Sequence, residues 1–140
     1  MKPEDLKVLE SITERILGAA FEVSNTIGAG FLEKVYVRAL LRELTRRGIP
    51  AVHHAPFEVT YKGFSVGQYF ADILVQDLVL VELKCADRFA PEHTAQCLNY
   101  LRASGLNACL LMNFQKPKLD WKRIVNGFQF PEAPALSSQP

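Results

Sequence analysis

The sequence predicts one α/β domain with a central mixed β-sheet flanked by helices. Three observations carry this: two helical stripes open the chain, the middle turns to β-branched runs, and one more helix then leads into a further apolar run. From Glu4 to Val23, Leu6, Leu9, Ile12, Ile16, Ala20 and Val23 recur in steps of three and four, which makes one helical face. Pro3 suits the first turn, and Glu4 and Asp5 suit the positive end of the helix dipole. Asn25 to Gly30 breaks the pattern with two glycines. A second helix is expected from Phe31 to Arg47, stopped by Gly48, with Leu32, Val35, Val37, Leu40, Leu41 and Leu44 apolar.

Phe57 to Tyr61 alternates, and Lys62-Gly63 reads as a turn. Val66–Val75 and Leu78–Lys84 are rich in β-branched residues. The run Leu78-Val79-Leu80-Val81 lacks a polar face, as a strand covered on both sides does. Pro91 opens a helix that runs through Ala103 and ends near Gly105. Leu106–Met112 reads as a buried strand, and Leu119–Val125 as a short edge strand or helix. Residues 1–130 form the expected domain. Residues 131–140, with three prolines and two serines, form an expected loosely ordered tail.

The length of 140 residues suits a single domain able to build its core without metal or disulfide support. The composition, 49% hydrophobic and 22% charged, is that of a globular protein and excludes a disordered one. No apolar run is long enough for a membrane span, since Gln76, Asp77 and Glu82 interrupt Ile73–Leu83. The first residues lack the pattern of a signal peptide, and the three cysteines, Cys85, Cys97 and Cys109, have no CxxC spacing. A cytoplasmic protein with reduced thiols is therefore expected. Sixteen basic against 15 acidic residues give a net charge of +1, so nucleic-acid binding would need a local patch.

The chemistry concentrates at Asp72 and at Glu82-Leu83-Lys84. Glu82 and Lys84 lie two apart on a strand and leave the same face, at the end of an apolar run. Charges there must be paired, hydrated in a cleft or bound to a metal. Turn length decides whether Asp72 joins them. A two-residue loop at Gln76-Asp77 sets Asp72 opposite Val81, whereas a three-residue loop, Gln76-Asp77-Leu78, sets it opposite Glu82. The odd-length loop or a bulge is the expectation. Two carboxylates ~4 Å apart repel by about 4 kcal/mol at an effective dielectric near 20, so such a pair calls for a cation. Mg²⁺ or Mn²⁺ suits hard carboxylate oxygens, whereas zinc would recruit His or Cys. The alternative is that Asp72, Glu82 and Lys84 form plain ion pairs at a sheet end.

Two helix motifs favour the first reading. Gly30, Glu33 and Tyr36 place an acid and a tyrosine one turn apart, and Gln96 and Tyr100 stand at i and i+4. In this order the residues resemble the PD-(D/E)XK nuclease superfamily, with its restriction-endonuclease-like core, and more narrowly the GxxExxY proteins. The resemblance spans Ile16 to Val125; it departs at Ala71, where the superfamily's nominal proline would stand. It implies a metal-dependent phosphodiesterase with Asp72 and Glu82 as main metal ligands and the Leu83 carbonyl as a further oxygen. Glu33 would act directly or through water, Lys84 beside the attacking water, and Gln96 and Tyr100 would orient the site or the strand being cut.

Other residues read as structural. His53 and His54, adjacent on a strand, are expected on opposite faces. His93 reads as a helix-surface residue, Cys85 and Cys97 as small apolar residues, and Gly28 and Gly30 as a bend that presents Glu33. Arg46, Arg47, Lys62, Lys116, Lys118, Lys122 and Arg123 make either phosphate contacts or a solvated surface. Trp121, Phe114 and Phe128 stack on bases or pack in the core. Three functions compete: a nuclease acting on DNA or RNA, a catalytically inactive nucleic-acid- or protein-binding module on the same fold, and a thiol sensor using Cys85 and Cys97. One domain of this size cannot enclose a duplex, which makes a homodimer the expected way to do so.

Overall fold

The computed structural model describes residues 3–126; the expected tail and Phe128 lie outside the described residues. Helix α1 (Pro3–Ile27) buries Leu9, Ile12, Ile16, Ala20 and Val23, the periodic stripe of the sequence. It runs four residues past Val23, because the Gly28 N–H still donates to the Ser24 carbonyl. Gly28 is the first residue to leave the helix, at φ +72°, a conformation that glycine adopts without cost. Helix α2 (Glu33–Arg46) starts two residues later than Phe31 and buries Tyr36, Val37, Leu40 and Leu44.

Strands β1 (Ala51–Tyr61) and β2 (Phe64–Val75) form a long antiparallel hairpin closed at Lys62-Gly63, both residues having positive φ. Strand β3 (Val79–Lys84) follows after Gln76-Asp77-Leu78, with Gln76 and Asp77 left-handed. Helix α3 (Pro91–Ser104), closed by left-handed Gly105, crosses to β4 (Ala108–Asn113), which pairs parallel to β3. Strand β5 (Asp120–Val125) pairs antiparallel with β4, so the segment Leu119–Val125 supplies an edge strand, not a helix.

The result is one five-stranded mixed sheet in the order β1-β2-β3-β4-β5. Helices α1 and α2 pack their apolar faces on one side against Ile73, Val75, Val79, Val81, Leu83, Leu110 and Met112. Helix α3 covers the other side through Cys97 and Leu101 against Leu80, Cys109 and Leu111. Strand β4 is buried along its whole length, which explains the apolar run at residues 108–112. Among the described residues, no helix is long and apolar enough to cross a membrane.

Candidate functional site

The site begins where the sheet opens. Strands β2 and β3 pair at Val75–Val79, Leu74–Leu80 and Ile73–Val81, the register of a three-residue loop. The next rung is Asp72 against Glu82, and there side chains replace the backbone ladder. The Asp72 N–H donates to Glu82 Oε2 at 3.0 Å, and the Leu83 N–H donates to Asp72 Oδ2 at 2.9 Å. Each carboxylate thus satisfies an amide that the diverging strands have left unpaired. The acidic pair sits in the resulting fork.

Glu82 is only 4% exposed, and its carboxyl is pushed up to about 8, first by burial and then by the Asp72 charge. Asp72 is also raised, by burial, against the N–H it accepts from Leu83 and the charge of Lys84. Lys84 is close enough to act on both carboxylates, yet Lys84 Nζ donates to Gln96 Oε1 at 3.3 Å. Among the described residues, the ion pairs are Arg46–Glu43, Arg47–Glu43 and Lys116–Asp120, so the expectation of plain ion pairing at this sheet end is not met. Among the described residues, no cation forms an ion pair with either carboxylate. A buried and a half-buried carboxylate, opposed and both of raised proton affinity, offer hard oxygens that fit a divalent cation of the magnesium class.

Helices on both faces reach the fork. From α3, Gln96 holds Lys84, and Tyr100 stacks flat on Tyr69, with ring centroids 3.8 Å apart; Tyr69 in turn donates its hydroxyl hydrogen to the Tyr100 carbonyl. From α2, Glu33 opens the first turn, and its charge acts on Glu82. Among the described residues, no three His, Cys, Asp or Glu side chains converge as a ready-made metal group, so Glu33 is not drawn in with Asp72 and Glu82.

Tyr36 explains the spacing of Gly30, Glu33 and Tyr36. It is fully buried, its ring stacks on Phe114 at 4.8 Å, and its hydroxyl donates to the Gly28 carbonyl at 2.7 Å. The same oxygen accepts the Phe31 N–H at 3.2 Å. Tyr36 therefore clamps the turn through Gly30, at φ +108°, and fixes where α2 and Glu33 begin.

Comparison with protein families finds a match over residues 10–124 to the PD-(D/E)XK nuclease superfamily. The chain belongs to this superfamily. Comparison with curated proteins returned no match. Among solved structures, the chain is similar to the alkaline exonuclease LHK-Exo from Laribacter hongkongensis, at 19% identity and a TM-score of 0.50, over 69% of this chain and 56% of that one. The complex of LHK-Exo with dAMP gives 19% identity and a TM-score of 0.51, over 69% and 55%. The protein SSO0001 gives 16% identity and a TM-score of 0.55, over 67% and 50%. This superfamily member thus spans about half the length of the structures it matches, and at these identities the likeness is one of fold.

Cys97 and Phe114 take the expected apolar roles, while other side chains depart from theirs. Positive φ at His54 breaks the strand alternation, so the His53 and His54 rings lie 5.8 Å apart instead of on opposite faces, and His53 lines a groove with Asp72. His93 caps α3, its Nδ1 accepting the Ala90 N–H. Cys97 is buried beside Cys109 under α3, while Cys85 packs toward the α1–α2 side, so Cys85 and Cys97 form no dithiol pair. Phe114 is core, and Arg46, Arg47 and Lys116 are engaged in the ion pairs above.

Asn113 is a positioning residue that the sequence did not reveal. It is fully buried; its Oδ1 accepts the Ala86 and Gln115 N–H groups, and its Nδ2 donates to the Ala86 carbonyl. It anchors the chain two residues beyond Lys84. Asn113→Ala leaves those groups unpaired and is expected to cost roughly 2–3 kcal/mol in urea unfolding; a loss within error of zero would remove this role.

Proposed function

We propose that this domain is a metal-dependent nuclease that hydrolyses phosphodiester bonds in DNA or RNA. One observation carries the reading: Asp72 and Glu82 face each other in the strand fork, while Lys84, beside them, is held by Gln96 and, among the described residues, forms no ion pair with a carboxylate. Asp72 and Glu82 would hold Mg²⁺, or Mn²⁺ in its place, with the Leu83 carbonyl as a further oxygen and Glu33 acting through water. When bound, the cation polarises the phosphate and lowers the pKa of its water. The remaining steps belong to the chain. Lys84 orients the attacking water and stabilises charge that builds on the phosphate oxygens, and Gln96 fixes the ammonium for that task. Tyr100, locked by Tyr69, shapes the wall along which the cut strand lies.

The superfamily membership supports this reading, as does the fold likeness to an alkaline exonuclease, one structure of which is a complex with dAMP. The Tyr36 clamp on Gly28 and Phe31 also supports the narrower kinship with GxxExxY proteins. A cytoplasmic location and a homodimer placing two sites on opposite strands are parts of the same proposal; the solution mass tests the second.

The test is cleavage of single- and double-stranded DNA and RNA with Mg²⁺, with Mn²⁺ and with chelator. Lys84→Ala is expected to lower metal-dependent turnover by roughly 10²–10³-fold while the fold survives. Wild-type turnover in Lys84→Ala would refute the lysine's role. Nucleic-acid binding without any metal-dependent cleavage in the wild type would mark a binding module instead.

A further inference from the structure

A groove leads away from Asp72 along α2. Glu33, Lys34, Val37 and Arg38 line one side, which is the i, i+1, i+4, i+5 face of the helix; Leu32 stands at its start and His53 on the strand side. Its volume of about 660 Å³ is that of an open channel able to take more than one nucleotide unit. Lys34 and Arg38 are exposed, and among the described residues neither is in an ion pair. By contrast, three of the basic residues that the sequence offered as phosphate contacts, Arg46, Arg47 and Lys116, are engaged with Glu43 and Asp120.

We infer that this groove is the subsite for the nucleic-acid backbone flanking the phosphate that reacts. Lys34 and Arg38 hold the phosphates next to it, and His53 closes the groove at the Asp72 end. This rests on the nuclease reading above and adds where the strand runs and which cations carry it. Two cations one turn apart on a helix suit successive phosphates of one strand, and Arg38 can grip a phosphate through two N–H groups at once. Without such cations the carboxylates at Asp72, Glu82 and Glu33 would repel an approaching strand. The apolar stretch of wall at Leu32 and Val37 faces sugar and base, so the subsite reads charge and shape and not sequence.

The experiment measures binding of short fluorescein-labelled DNA and RNA oligonucleotides by anisotropy across a salt series, together with cleavage kinetics in Mg²⁺. The wild type is compared with Lys34→Ala/Arg38→Ala and with Lys116→Ala/Lys118→Ala, a double change of equal charge before β5. The groove variant is expected to lower the slope of log K against log salt by about 1.4–1.8, the value for two lost phosphate contacts, and to raise KM more than it lowers kcat. The control pair should leave the slope near that of the wild type. Equal losses in both variants, or a loss in neither, would overturn the groove assignment while leaving the nuclease reading in place. A wild type that neither binds nor cleaves any of these probes would overturn both.

Discussion

Glu82→Gln is expected to lower metal-dependent cleavage by about a thousandfold and, in chelator at pH 8, to make the protein more stable. The rate loss corresponds to roughly 4 kcal/mol of metal-based charge stabilisation. The stability gain follows from linkage. Burial and the Asp72 charge raise the Glu82 carboxyl from its ordinary 4.5 to about 8 in the folded state. Folding therefore takes up a proton between those values. The wild-type stability tied to this group is complete below about pH 4.5 and is lost as pH rises toward about 8. Glutamine stays neutral throughout and still offers an oxygen to the Asp72 N–H. The gain at pH 8 is on the order of a few kcal/mol, or several degrees in Tm, and it should shrink toward zero as pH falls to 4.5. Millimolar Mg²⁺ should raise the Tm of the wild type and leave that of the variant unchanged. A variant less stable than the wild type at pH 8 in chelator would show that the carboxylate is a structural ion and not a metal ligand.

Tyr36→Ala has the largest expected effect on folding. It removes a fully buried ring stacked on Phe114 and both hydrogen bonds of its hydroxyl, and roughly 3–5 kcal/mol should be lost. Tyr36→Phe separates the clamp from the packing. The ring stays, but the Gly28 carbonyl and the Phe31 N–H lose their partner, at about 1–3 kcal/mol. With the turn released, Glu33 at the start of α2 is less well fixed, so cleavage should fall more than the modest stability loss explains. Urea unfolding and single-turnover cleavage of the two variants check both parts. Stability and turnover both at wild-type level in Tyr36→Phe would show that the hydroxyl clamps nothing of consequence.

Much of the fold was legible in the chain because apolar periodicity reports which face of an element is buried. The stripe from Leu6 to Val23 became the packed face of α1, and the unbroken apolar runs became β3 and β4, each covered on both sides. Element ends were less legible. Helix α1 continues to Ile27 because a backbone bond from Gly28 reaches back to Ser24, which no side-chain pattern records. His53 and His54 were misplaced for a similar reason: one left-handed residue reverses the alternation, and histidine carries no mark of it.

The candidate site divides along the same line. Its residue types are legible in the chain, and spacing leaves Asp72 opposite either Val81 or Glu82, because strand register is integer arithmetic once the turn length is set; the three-residue turn with left-handed Gln76 and Asp77 selects Glu82. The sequence by itself thus determined one mixed α/β domain and a short list of candidate site residues: acids, a lysine and an amide. Only the tertiary structure decided that Lys84 binds Gln96 and, among the described residues, leaves the carboxylates without a paired cation, that Tyr36 is a buried clamp, and that Lys34 and Arg38 share a groove with Asp72. Those facts depend on how α2 and α3 sit against the sheet, and helix placement is set by the packing of whole faces, which no local spacing encodes.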